Sequence, residues 1–321
     1  MKINSENITE KIQESRPNLK PNSIKQYETH LNKLKKLFDS DDFNFLSNPD
    51  DVMNKLEDKH YTSKRNSLNA VIILLFALNH DKKYDELIEK YQKIRDELND
   101  KYIDDQQSGK ISEKQKNNFA ELSEIMSMID TMGNEIKSMK LKKKGDLTNK
   151  ERELIMVFTI FSFLVKYPLR NDLAEMKYIT KSEYNKLTED NKKETNYLVK
   201  QKNKLMMILN QYKTSKKYGE KILDIDNETS KVLRMYIKLT DKKLGEVLFT
   251  NNQGNPITRN GISQLLLRTT KKRINKNVST TLIRKSVVSD KFADVKKEQQ
   301  ALADIMGHDV STQNLVYVKE K

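Results

Sequence analysis

The sequence predicts a mainly α-helical protein with one small antiparallel β-sheet: a helical N-terminal domain followed by an α+β domain. Three observations lead there. Apolar residues recur at helical spacing through most of the first hundred residues. Runs of β-prone residues separated by Lys- and Asn-rich turns occur convincingly in one stretch, residues 195–226. A polar segment containing Gly109, "IDDQQSGKISEKQKN", interrupts the helical periodicity between the two. These place a helical domain at 1–105 and a second domain at 106–321, with the linker at about 104–114.

In chain order, "PNSIKQYETHLNKLKKLF" offers Asn22 or Ser23 as N-cap, with Ile24, Tyr27, Leu31, Leu34 and Phe38 on one helical face. "NPDDVMNKLEDK" reads as a short helix. "TSKRNSLNAVIILLFALN" reads as a third, entering at Thr62 or Ser63 and buried at its far end. "YDELIEKYQKIRDELNDKY" is a long polar fourth. In the second domain "NKERELIMVFTIFSFLVKY" is apolar enough for a central helix. After the three β-prone runs, helical patterns resume at "NETSKVLRMYIKL", "ITRNGISQLLLRTTKKRI", "STTLIRKSVVSDKF" and "KKEQQALADIMG".

Composition narrows the functional classes. The 321 residues are 36% hydrophobic and 33% charged, and there is no Cys, which removes disulfides and thiolate metal sites. The first residues lack the apolar core of a signal peptide. The longest aliphatic run, Ala70 to Leu78, is under half the length needed to span a bilayer, so no membrane association is expected. Net charge is +14, unevenly placed: the first 110 residues hold 19 basic and 20 acidic residues, the rest 41 and 26. A neutral front and a strongly basic back point to a polyanion, with nucleic acid the usual partner. His30, His60, His80 and His308 are isolated, without metal-ligand spacing, and no Gly-rich phosphate loop is present.

Candidates for chemistry are therefore basic residues at structural transitions. Arg170, in "YPLRNDLAEM", follows Pro168 and is expected at a helix entrance capped by Asp172. Lys213, in "NQYKTSKKYG", is expected at the tip of the second hairpin. Arg284 stands three residues after Thr281, on the same face of a helix. His308 follows Gly307, where a helix should end. Ser311 or Thr312 can cap a last short helix carrying Tyr317. Each of these residues alone has an ordinary structural explanation; their order does not.

An Arg before a helix, a hairpin Lys, a second Arg in "TTLIR" and a Gly-His followed nine residues later by Tyr317 resemble the tyrosine recombinases, the phage-integrase-like site-specific recombinases. The resemblance covers the chain from about residue 111 to the end; the helical front is similar to the core-binding domain of that family. The "LFTNNQGNPITRNGISQLL" stretch is similar to the one preceding the family's second Arg, and viral or transposon-borne members look nearest.

The resemblance implies a catalytic domain in which Tyr317 attacks a DNA phosphodiester, forming a 3′-phosphotyrosyl link. Arg170 and Arg284 would clamp the non-bridging oxygens, His308 would donate a further hydrogen bond, and Lys213 would protonate the leaving 5′-oxygen. Lys216 and Lys217 are alternatives for that acid. Thr281 stands where the family usually carries His; its hydroxyl can bond a phosphate but cannot serve as a base near neutral pH. Deprotonation of Tyr317 would then fall to water, the phosphate or another group, with slower cleavage expected. The link conserves the energy of the broken bond, so no cofactor, neither ATP nor metal, is expected.

Double-stranded DNA is the expected partner, gripped between front and back, with lysines of "SMKLKKKGD" and "RTTKKRINKN" on phosphates. A homo-tetramer on two duplexes is implied, intracellular wherever the target DNA lies, in host nucleus or cytoplasm. Only four residues follow Tyr317, so coupling between subunits is expected to use other surfaces, within residues 84–145. Two other functions share these features: type IB topoisomerase-like relaxation of one duplex, and catalytically silent DNA binding.

Overall fold

The computed structural model describes residues 7–109, 111–141 and 146–318, and divides into two compact units, residues 1–111 and 112–321. In the first unit, α1 (Ile8–Ser15), α2 (Pro21–Phe38), a 3-10 turn (Asn44–Ser47), α3 (Pro49–Lys55), α4 (Tyr61–Leu78) and α5 (Asp85–Gln107) form a helical bundle. Helix α4 is its centre. No charged side chain occurs after Arg65, and Leu68, Ala70, Val71, Leu74 and Leu75 are completely buried. Against them lie Leu31 and Leu34 of α2 and Tyr91 of α5, whose hydroxyl donates to the Leu46 carbonyl at 2.9 Å. Full burial pushes the Tyr91 phenol up.

The start of α2 corrects an expectation. Its N-cap is Lys20, not Asn22 or Ser23, and Pro21 occupies the first helical position. Proline is preset for that position and has no N–H to leave unbonded. The cap of α4 is His60, two residues before Thr62, because the His60 ring accepts from the Thr62 amide. Helix α5 persists to Gln107 although its apolar spacing fades; it stops where Gly109 adopts φ 67°.

The second unit contains α6 (Glu113–Lys116), α7 (Leu122–Ser138), α8 (Asn149–Lys166), β1 (Lys177–Thr180), α9 (Lys181–Lys186), α10 (Glu189–Lys193), β2 (Tyr197–Gln201), β3 (Lys204–Leu209), α11 (Ser215–Tyr218), β4 (Lys221–Asp224), α12 (Asn227–Leu239), α13 (Arg259–Ile274), α14 (Thr280–Met306) and α15 (Val310–Thr312), then a π turn over Gln313–Tyr317. A capping box between Thr148 and Glu151 opens α8, whose Ile155, Ile160, Phe161 and Phe163 are buried. That helix carries the core against α7, α12 and α14.

The sheet has order β1-β2-β3-β4 and is mixed, not purely antiparallel. β2, β3 and β4 form antiparallel pairs, as the three β-prone runs predict, but β1 pairs with β2 in parallel. The helical crossover through α9 and α10 brings the chain back beside β1 in the same direction. The four residues of "KYIT" are too few to reveal a strand by alternation.

A second difference affects the site. The segments "STTLIRKSVVSDKF" and "KKEQQALADIMG" form one continuous helix, α14, because nothing between them breaks a helix. Its first turns pack against α7 and α8, whereas Val288, Phe292, Val295, Leu302 and Ile305 are exposed. Among the described residues no helix is long and apolar enough to cross a membrane.

Candidate active site

Arg170 lies in the connection after α8, not at a helix entrance. Residues 171–175 form a turn leading into β1, so Asp172 caps no helix. Instead the Asp172 side chain, 4% exposed, is buried among cations: Arg259 Nη2 stands 3.3 Å from Oδ1, and the charges of Arg170 and Arg284 also act on it. Oδ1 accepts no hydrogen bond. Burial pushes the Asp172 carboxyl above the usual range, and the attraction of Arg259, Arg170 and Arg284 works against that rise.

Arg284 comes from the second turn of α14 and donates through Nε to the Pro168 carbonyl at 2.9 Å. Burial, and then the like charge of Arg170, lower its pKa, while Asp172 opposes the change. Two guanidiniums 114 positions apart in sequence are thus held within range of one another. Three cations around one carboxylate leave an excess of positive charge, the electrostatic requirement for gripping an anion. Thr281, one turn before Arg284, is exposed.

Lys213 is exposed, in the β3–β4 connection that also contains α11 with Lys216 and Lys217. The placement at the second hairpin is therefore as the spacing predicts, although the tip is an eleven-residue connection rather than a tight turn. Tyr212 anchors it by donating to the Gly219 carbonyl at 2.7 Å.

Residues that sequence reasoning missed join these pieces. Asn196, 2% exposed, donates to the Asp172 carbonyl (2.8 Å) and the Gln211 carbonyl (3.1 Å). Its Oδ1 accepts from the amides of Asn210 (2.9 Å) and Gln211 (2.8 Å). Arg259 Nη2 also reaches the Gln211 carbonyl, at 2.7 Å. Asn196 and Arg259 therefore tie the Arg170 turn to the start of the β3–β4 connection, at Gln211, two residues before Lys213. Asn171 does the same for the helices: its Nδ2 donates to the Arg259 carbonyl (2.8 Å) and Ser263 (2.6 Å), and its Oδ1 accepts from Thr280 (2.5 Å). Asparagines in loops carry no periodicity, so only the fold exposes these roles.

His308 and Tyr317 form a separate pair. Gly307, with φ 71°, ends α14, and His308 follows as predicted. The helix after it is capped by Asp309, which accepts from the Thr312 amide at 2.7 Å; Ser311 and Thr312 are not the caps. A carboxylate two residues before Ser311 wins because it also accepts from the Ser311 hydroxyl. The rings of His308 and Tyr317 stack at 5.2 Å, with 13° between their planes. His308 Nδ1 approaches the Asp309 carbonyl at 3.1 Å, Nε2 is buried without a partner, and Tyr317 is 56% exposed.

The two groups are not together. Arg284 and Met306 stand at opposite ends of α14, and 22 residues of helix at 1.5 Å each put about 33 Å between them. Arg170, Arg284 and the Lys213 connection form one cluster, His308 and Tyr317 another. In the "RTTKKRINKN" run, Arg273 forms a two-pronged ion pair with Glu135 (2.7 and 2.8 Å) and Lys276 pairs with Glu124 (2.5 Å), so both support the α7–α13 packing rather than standing free for DNA. Residues 142–145, which hold the lysines of "LKKKG", lie outside the described residues.

No family model matches the chain, and no curated protein matches it. Among solved structures, the crystal structure of XerA recombinase aligns with TM-score 0.35 and 14% identity, over 98% of this chain and 94% of that one. The XerH site-specific recombinase bound to difH substrate, a pre-cleavage complex, aligns with TM-score 0.41 and 12% identity, over 100% and 97%.

Proposed function

We propose that this protein is a tyrosine recombinase that cleaves and rejoins DNA for integration or excision of a mobile or viral element. The observation that carries the reading is the assembly of Arg170 and Arg284 beside Asp172, with the Lys213 connection tied on by Asn196 and Arg259. Two planar, permanently charged forks suit the non-bridging oxygens of a phosphodiester, where negative charge grows in the transition state. Lys213 protonates the leaving 5′-oxygen, and Thr281 adds a hydroxyl to the phosphate. The excess positive charge favours an anion there before any chemistry begins.

For cleavage, Tyr317 has to reach the phosphate held by the arginines, with His308 beside it. The exposed part of α14 therefore bends or unwinds so that the His308–Tyr317 pair closes over that phosphate. Phe292, Val295, Leu302 and Ile305 are then covered, and their burial offsets the lost helical hydrogen bonds. Closure on DNA keeps the free protein from cutting at random. The attacking phenolate forms the phosphotyrosyl bond as the 5′-oxygen leaves with its proton; attack by a 5′-hydroxyl reverses the step without external energy.

Incubation with nicked suicide duplexes carrying the ends of its own element should trap a covalent complex. Tyr317→Phe should abolish it while leaving salt-dependent DNA binding intact. Equal yields from the two proteins would refute the reading. The separation of the two residue groups favours a second reading, a DNA-binding protein without catalysis, which predicts no adduct from either. Relaxation of a single supercoiled duplex without recombinant product would place the same chemistry in a topoisomerase-like enzyme.

A further inference from the structure

At the far end of α8 from Arg170, about 20 Å of helix away, lies a cavity of about 200 Å³. Arg152 of the first turn of α8 and Lys242, just after α12, both line it. They lie within electrostatic range of each other, and neither has a carboxylate at ion-pair distance among the described residues. Glu153 also lines the cavity but is engaged with Arg268 at 2.8 Å. Lys242 is half-buried and donates to the Thr250 hydroxyl at 3.0 Å. Burial lowers its pKa, Glu246 opposes the change and Arg152 adds to it. The Tyr236 hydroxyl at the wall is already donating to the Leu248 carbonyl at 3.1 Å.

Two cations held near each other with no carboxylate at ion-pair distance repel each other, Glu246 offsetting this only in part, and partial burial adds to the cost. An anion between them removes both penalties. In the remaining lining, the Thr250 hydroxyl, which accepts from Lys242, and the Asn251 side-chain amide can donate to a tetrahedral oxyanion, while the Thr240 hydroxyl already donates to the Tyr236 carbonyl at 2.8 Å. We infer that this cavity binds a phosphate group through Arg152 and Lys242, as a second anion site distinct from the Arg170–Arg284 cluster. The same chemistry fits a free phosphate or phosphate ester and a backbone phosphate of DNA.

The test titrates the full chain with inorganic phosphate and pyrophosphate, reading Tm and 31P line broadening against chloride at equal ionic strength. Wild type should gain Tm with phosphate and not with chloride. The double variant Arg152→Gln, Lys242→Gln should lose the share of the gain that this cavity contributes beyond the Arg170–Arg284 cluster, phosphate affinity at the cavity falling about tenfold or more for each cation removed. Should the double variant not fold, each single variant decides on the same titration. A second arm measures the salt dependence of duplex binding. A log–log slope reduced by about two in the double variant identifies backbone phosphate as the ligand, and an unchanged slope identifies a small phosphate. Phosphate acting no better than chloride, or a double variant that keeps the gain, overturns the inference.

Discussion

Asn196→Ala is expected to loosen the arginine cluster without touching a charged group. The side chain makes four hydrogen bonds within 3.1 Å, two donated to the carbonyls of Asp172 and Gln211 and two accepted from the amides of Asn210 and Gln211. Truncation strands these backbone groups where Asn196 is 2% exposed. At about 1 kcal/mol per bond the loss is about 4 kcal/mol, a large part of the roughly 5–15 kcal/mol that stabilises a domain. For a unit of this size each kcal/mol lowers Tm by about 2–4 °C, so a fall of about 8–16 °C is expected. Calorimetry on the full chain measures it, and suicide-substrate trapping at a temperature below both transitions reads the effect on cleavage. Asn196→Asp separates the roles: it can still accept from the two amides but turns oxygens toward both carbonyls, and should be no better than Ala. A Tm within about 2 °C of wild type, with unchanged trapping, would refute the view that Asn196 joins the Arg170 turn to the Lys213 connection.

Arg170→Ala should lower adduct formation by about 10²–10³-fold, while Tm stays within about 3 °C, since it removes a like charge beside Arg284; a fall as steep as that of Asn196→Ala would make Arg170 structural. Burial raises the Asp226 carboxyl, but hydrogen bonds from Thr229, Tyr167 and Glu228 outweigh it and bring the pKa down to about 2. A lowered carboxyl contributes stability above its unfolded value of 3.8 that is lost as pH falls through about 2. The stability difference between wild type and Asp226→Asn, from urea melts, should therefore narrow across that window, and a constant difference would count against it. Because the chain has no Cys, Lys216→Cys and Asn314→Cys can carry a pair of spin labels. Their separation should shorten when a duplex with the target site is added, and an unchanged distance distribution in a cleaving complex would refute closure of α14.

How much was legible in the sequence depended on whether the signal was local. The apolar run from Ala70 to Leu78 needed no partner to mark a buried helix, and the β-prone runs of residues 195–226 announced β2, β3 and β4. Gly307 before His308 marked the end of a helix because a left-handed residue there needs no side chain. The order Arg170, Lys213, Arg284, His308, Tyr317 was also readable, since it is a property of the chain alone.

Which of those residues meet was decided by tertiary structure. Arg170 and Arg284 converge only because α8 and α14 pack together, and the Arg170 turn acquires its hold on the Lys213 connection through Asn196 and Arg259 and on the helices through Asn171. Asp172 could be read as a helix cap from its neighbours; burial among three cations made it a counter-ion instead. The parallel pairing of β1 depends on a crossover no alternation pattern encodes. The continuity of α14 is the sharpest case. Local propensity permits a helix through residues 280–306, and the fold leaves Val288, Phe292, Val295 and Leu302 of it exposed, so His308 and Tyr317 stand some 33 Å of helix from Arg284. Spacing along a chain fixes which side chains exist and in what order, whereas distance in space is set by packing, which sums weak contacts between segments far apart in sequence.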